Sequence, residues 1–168
     1  KVRERIQGFC LSSLGYDKTN QMKFTTSPKF IKLLIDQVDE FREIIDMEEN
    51  LPLEHCTDIR EALNKIKIEG TYMEEEEVYR LRLNQNTIKN LVSFFKIKAQ
   101  EDRYQNLYRL AKNVTVYPFI TDRIDQIMNN KGEIKDTASQ ELRRIRLEIA
   151  EKESTVQSKI EGIFKQLK

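Results

Sequence analysis

GEIKDTASQELRRIRLEIAEKESTVQSKIEGIFKQLK, Gly132–Lys168, is the stretch that decides how the chain is read. It opens as a tight polar segment and becomes one long helix. Leu142, Ile149, Val156 and Ile163 recur every seven residues, with Ile145 beside the first of them, which sets them along one stripe. Ile160, Phe164 and Leu167 widen that stripe toward the end, as on a helix packed against several neighbours. Leu142, Ile145, Ile149 and Val156 are therefore expected to be buried. Thr137 with Gln140 fits a capping box, and Asp136 or Ser139 could cap instead. No Gly, Asn or Pro closes the helix, so it is expected to run past Lys168 in a longer parent, and the chain is read as a fragment.

Composition agrees with a helical reading. Charged residues make up 34% and apolar ones 39%, while the chain has only 5 Gly and 3 Pro. A formal charge of +1 excludes a broadly basic nucleic-acid binder and a polyacidic tail, leaving room for a local patch. No apolar run approaches the ~20 residues that a membrane span needs. Two cysteines, Cys10 and Cys56, make no disulfide framework and favour a reducing compartment.

Working back to the start, Val2–Leu14 carries Val2, Ile6, Phe9, Cys10 and Leu11 near helical spacing, with Gly15 as a stop, and Tyr16–Phe24 offers one more short helical piece. Ser27 as cap and Pro28 at the first helical position start a long helix. Its expected buried face is Phe30, Ile31, Leu34, Ile35, Val38, Phe41, Ile44 and Ile45, and it ends near Met47–Asn50. Leu51-Pro52-Leu53 is an extended link, and Thr57 or Asp58 caps a shorter helix through Ile59, Ala62, Leu63 and Ile66. Gly70 marks a turn or tiny hairpin within Lys67–Met73. A second long helix, Glu74–Ala99, is lined by Val78, Leu81, Ile88, Leu91, Val92 and Phe95. Glu101–Lys112 gives a helix with Tyr104, Leu107 and Tyr108, and Pro118 begins another that stops at Asn129-Asn130. The fold class is all-α: an irregular multi-helix bundle with two or three long helices and at most a small hairpin. Residues 1–168 are expected to form a single helical domain.

Side chains that could carry chemistry are few. No G-x-x-x-x-G-K-[ST], G-x-S-x-G or H-E-x-x-H occurs. His55-Cys56 with the distant Cys10 is short of four zinc ligands, so Cys56 reads as a small apolar filler and His55 as a loop residue. Glu74, Glu75, Glu76 and Glu77 point around a helix rather than converging on ions, and read as carboxylates favoured by the helix start. Arg143, Arg144 and Arg146, followed by Lys152, Lys159 and Lys165, are the candidates for phosphate contact. Their plainer reading is a solvated face with Arg144–Glu148 and Glu148–Lys152 pairs. Tyr104, Tyr108 and Tyr117 could stack bases, but their spacing favours core packing, as for Phe94-Phe95.

Gly132, Ile134, Asp136, Ala138, Ser139, Leu142, Ile145 and Arg146 match a D-G-x-(hydrophobic)-x-D-x-A-S-x-x-L-x-x-(hydrophobic)-R pattern. With it the chain resembles a bacterial MutS paralogue, the MutS-type ATPase without mismatch-recognition domains that usually ends in a small Smr nuclease domain. Lys131 departs from the pattern, where the family often has Asp. Leu51-Pro52-Leu53 with Thr57-Asp58-Ile59-Arg60 is similar to the family's proline link and D-I-R helix start. Gly70 followed by Met73, Glu75 and Glu76 is similar to its glycine turn. The resemblance implies the first half of a helical core and lever between a DNA clamp and a P-loop ATPase, with the helix at about 138–168 leading toward the clamp. It implies a cytoplasmic bacterial protein of DNA repair, homodimeric at full length. DNA, ATP and magnesium would be handled by other domains, and any nuclease activity would lie there too. The fragment is expected to have no catalytic, cofactor or metal residues of its own. A helical protein-interaction module unrelated to DNA is the alternative.

Overall fold

Pro28 fixes φ where a helix needs it, and in the computed structural model a 19-residue helix starts there. The structure describes residues 1–47 and 50–166, with side chains through Ile163. Glu48 and Glu49, at the expected end of that helix, lie outside the described residues. So do the side chains of Phe164, Lys165 and Leu167. The architecture is all-α. Eight helices are found among the described residues: α1 (Val2–Gln7), α2 (Ser13–Asn20), α3 (Pro28–Asp46), α4 (Arg60–Lys65), α5 (Glu75–Gln100), α6 (Gln105–Ala111), α7 (Pro118–Ile127) and α8 (Gln140–Gln166). A single 3-10 turn (Asp136–Ala138) precedes α8, and the only β pairing among the described residues is a bridge between Met128 and Ile134. Gly70 sits at φ +80° in a plain turn with no hairpin. Contacts within the chain gather into two compact units, Lys1–Thr121 and Asp122–Lys168.

The expected first helix is two. α1 ends at Gln7, where Gly8, Phe9 and Cys10 bond back to the preceding carbonyls. Ser12 then caps α2 by accepting a hydrogen bond from Gly15 N at 3.2 Å. Gly15 is therefore a first-turn residue and not a stop, because the hydroxyl three residues earlier claims its N–H. At α3, by contrast, Ser27 occupies the cap position without a side-chain cap bond.

The larger unit is assembled around α6. This helix has seven residues, too few to persist alone. Glu40 of α3 supplies what its start lacks. One carboxylate oxygen accepts from Asn106 N at 3.0 Å and from the Asn106 side chain at 2.8 Å, and the other accepts from Leu107 N at 2.8 Å. These are two of the free N–H groups that every helix start leaves over, and a carboxylate there also meets the positive end of the helix. α6 contacts both α3 and α5. The α5–α6 corner is closed tightly. Arg103 N donates to Lys98 O at 2.9 Å and Asp102 N to Ala99 O at 3.2 Å, a Schellman closure with Asp102 in the glycine-favouring left-handed region. Tyr104 is left-handed too (φ +53°), and its ring is buried (3% exposed) beneath the Arg103 guanidinium, 4.8 Å from the ring centre.

Burial departs from expectation along both long stripes. On α3 only Ile44 is buried, whereas Val38 and Ile45 are exposed. The reason is length: at about 1.5 Å per residue α6 covers about 10 Å of a helix nearly three times as long. On α8, Leu142 is half-buried, but Ile145, Ile149 and Val156, expected to be buried, are exposed, as are Ile160 and Ile163. Periodicity shows which side of a helix is apolar; it does not supply the neighbour that would cover it. Tyr117 is also exposed, edge-on to Phe119 with ring centres 6.2 Å apart, so core packing holds for Tyr104 and not for Tyr117. Cys56 is exposed and fills no core.

Replacing Glu40 with Ala should cost about 1–2 kcal/mol, the range for a lost helix cap. Amide exchange across residues 105–111 and the denaturation midpoint should both register it. Glu40→Gln should recover part of the loss.

Candidate functional site

The root of α8 is where the most specific sequence pattern becomes geometry. Asn129 begins it: its side-chain oxygen accepts from Lys131 N at 2.8 Å and Glu133 N at 3.0 Å, and its N–H donates to Glu133 O at 2.9 Å. The chain reverses at Gly132, whose φ of +86° is a conformation that L side chains rarely adopt. The reversal brings Ile134 alongside buried Met128, and Lys135 N donates to Ile127 O at 2.8 Å. After the 3-10 turn, Ser139 Oγ accepts from Leu142 N at 3.0 Å, so of the three candidate caps Ser139 is the one used. Arg146 lies two turns into the helix and reaches back. It is paired with Asp136 and donates to Ile134 O at 3.1 Å. Gly132, Asp136, Ala138, Ser139, Leu142 and Arg146 thus form one anchor: a turn, a cap, a half-buried contact at each end of the cap, and an ion pair across it.

The neighbouring arginines differ from one another. Arg144 is held between Glu141 at 2.6 Å and Glu148 at 3.0 Å. Glu148 pairs with Arg144, and the expected Glu148–Lys152 pair is absent among the described residues. Arg143, Lys152 and Lys159 are exposed and make no ion pair among the described residues. Of the three arginines named as phosphate contacts, Arg143 is the one whose charge is not already engaged.

The other two motifs also lie where the chain turns. Arg60 bonds Asp58 through its side chain and its backbone N–H, and reaches Asp17 of α2 at 2.6 Å, while Ser13 donates to Asp58 at 3.1 Å. The Arg60 guanidinium holds the Asp58 carboxyl well below the usual carboxylate range, with the Arg60 N–H and the Ser13 hydroxyl adding to it. One residue earlier, buried Asn84 of α5 clamps the Thr57 backbone. Its oxygen accepts from Thr57 N at 3.0 Å and its amide donates to Thr57 O at 2.7 Å. Sequence reading missed Asn84. The available signal was an amide at stripe position 84, between Leu81 and Ile88, within the run Asn84-Gln85-Asn86. At the start of α5, Glu77 accepts from Glu74 N at 2.7 Å, Lys65 lies 3.6 Å from Glu77, and Glu76 pairs with Arg80. The acidic run is a helix start. Among the described residues no three His, Cys, Asp or Glu side chains are grouped to hold a metal ion, and no helix is long and apolar enough to cross a membrane.

These features define a class: a helical scaffold whose distinctive residues sit at caps and corners. Comparison with known proteins gives the class a lineage. The chain is 29% identical over 98% of its length to the endonuclease MutS2 of Alkaliphilus metalliredigens. It is 30% identical over 97% to the endonuclease MutS2 of Bacillus cereus, and 27% identical over 98% to the putative endonuclease MutS2 of Bacillus subtilis. Nearly all of this chain is thus a relative of one segment of the MutS2 proteins, in agreement with the MutS-paralogue resemblance. The chain spans about a fifth of the length of these curated relatives, 21% in each case. No family model matches the chain, and no solved structure does.

Two outcomes follow for these corners. Ser139→Ala should cost about 1 kcal/mol, and Gly132→Ala about 1–2 kcal/mol, with faster amide exchange at residues 140–146. The Asp58 carboxyl titrates lower when folded than when unfolded. Its contribution is therefore whole above an unfolded pKa of about 4 and declines as pH falls below that. Asp58→Asn should flatten the acid limb of a melting-temperature profile and leave its shape near pH 7 unchanged.

Proposed function

We propose that this chain is a core and lever segment of a DNA-handling MutS-type ATPase, mechanical in role and without catalysis of its own. In this reading α8 is a strut that leads from the anchor at its root toward a DNA clamp. DNA repair or recombination is the setting, and ATP, magnesium and any nuclease chemistry belong to other domains of the parent. The observation that carries the reading is similarity to the MutS2 proteins along almost the whole chain. The anchor supports it, since Arg146, Asp136 and Ser139 give a long helix a stiff root through which a rearrangement could pass. A coupling of that kind needs an element with two discrete arrangements. Arg143 is the residue best placed for a phosphate contact, as an auxiliary to binding elsewhere. A cytoplasmic bacterial homodimer is the expected full-length form. The bare stripe of α8 favours a second reading, a helical interaction module with no link to DNA.

One measurement separates these readings, and a second tests whether this segment touches DNA itself. The chain should replace the matched segment of the Bacillus cereus relative with DNA-stimulated ATP hydrolysis kept within a few-fold. A folded but uncoupled chimera would sink the lever reading. The chain alone, titrated with duplex DNA from about 50 to 200 mM salt, should bind weakly or not at all. Tight, steeply salt-dependent binding would instead place DNA contact in this segment.

A further inference from the structure

We infer that α1 and α2 form a hinged flap, latched to the start of α4 by one solvent-exposed polar cluster and poised to swing off it as a unit while α3, α5 and α6 stay folded. The two short helices hold to each other. Gln7 Nε2 donates to the Asn20 side chain at 2.7 Å, Arg3 donates to Met22 O at 2.7 Å, and the Cys10 thiol lies 3.5 Å from the hydroxyl of buried Thr19. Among the described residues the main helix contact of each is the other, whereas α6 joins α3 and α5 into a separate group. Apolar cover is thin: Leu14 is half-buried, but Val2, Ile6, Phe9, Leu11 and Tyr16 are exposed. Residues 23–26, between this pair and α3, have no regular structure and are exposed except for Thr25. They are the hinge.

The latch is two contacts made by α2. Ser13 Oγ donates to Asp58 at 3.1 Å, and Asp17 accepts from Arg60 at 2.6 Å. Among the described residues no other hydrogen bond or ion pair joins residues 1–20 to the chain beyond Met22. The two halves of the latch are held unequally. Asp58 is fixed to α4 by Arg60, whose Nε donates to it at 2.9 Å and whose backbone N–H donates at 3.1 Å, and the preceding Thr57 is clamped by buried Asn84 of α5. Ser13 and Asp17 are backed by helices of six and eight residues, too short to persist alone. Arg60 serves both carboxylates at once, so its charge draws the halves together. The Arg60 and Asp17 side chains are 55% and 42% exposed, and an ion pair so open to water holds weakly and is screened by salt. Local opening starts where buried apolar contact is scarce and the ties are solvated. The flap is therefore the part of the larger unit that rising ionic strength releases first. It does not depend on the lever reading of the chain.

The test is amide exchange on the full 168-residue chain, read by mass spectrometry. It is run at about 50 and about 500 mM sodium chloride, between which screening tightens several-fold. Because α1 and α2 unwind once undocked, their amides report the opening. Residues 2–20 should exchange about two- to fivefold faster at the higher salt, with α5 and α6 unchanged. Arg60→Gln should produce the same acceleration already at the lower salt and remove the salt response. The double variant Asp17→Arg, Arg60→Glu reverses the pair and leaves Asp58 beside the new arginine. It should restore both the protection and the salt response, which a simple loss of packing at position 60 would not allow. Exchange at residues 2–20 that ignores salt and Arg60→Gln, that rises in step with α5 and α6, or that the reversed pair fails to restore overturns the inference. None of these readouts involves DNA or ATP, so the flap and the lever reading fail separately.

Discussion

Glu40 ties the larger unit together by completing a helix that is not its own. A helix start leaves N–H groups without partners, and α6 has too few residues to make up the deficit through its own ladder. The carboxylate that meets two of them comes from α3, 66 and 67 positions earlier in the chain. With α6 held to α3 in this way, the Asp102 and Tyr104 corner fixes where α5 departs, and the ring of Tyr104 is shut under Arg103. The unit is joined at helix ends more than through a deep core. Among the described residues its buried apolar side chains are Ile44, Tyr104 and the two alanines Ala62 and Ala111.

The three sequence patterns that carry the resemblance share a physical character. Each is centred on a turn or a helix start. Asp58-Ile59-Arg60 bends the entry to α4 and fastens α2, Gly70 makes the turn before α5, and Gly132–Arg146 makes the turn, cap and brace of α8. Positions on a helical face can exchange one aliphatic residue for another at little cost. A left-handed glycine, a hydroxyl cap and a paired arginine have few substitutes. Relatives at 25–30% identity would be expected to agree at such corners and to differ along the faces between them.

How far the sequence could be read follows the same division. Local chemistry was legible: Pro28 and Pro118 start helices, Gly70 turns, and Ser139 was among three candidate caps. What depends on distant partners was not. Nothing near residue 40 announces that its carboxylate will cap residues 106 and 107, and Asn84 shows itself only as an amide in an oily row. The bare stripes of α3 and α8 are the clearest case. A repeat of Ile and Val reports that a face avoids water, and the same repeat is written whether the cover lies in this chain or elsewhere.

The anchor of α8 has a consequence for force. At about 1.5 Å per residue its 27 residues reach about 40 Å, and its main contact with another element is the 3-10 turn at its base. A rod fixed at one end is a cantilever, so any load at the tip becomes a bending moment at the base. The Asp136–Arg146 pair straddles that base and opposes rotation about the Ser139 corner. Stiffness against flexion is therefore concentrated in about ten residues.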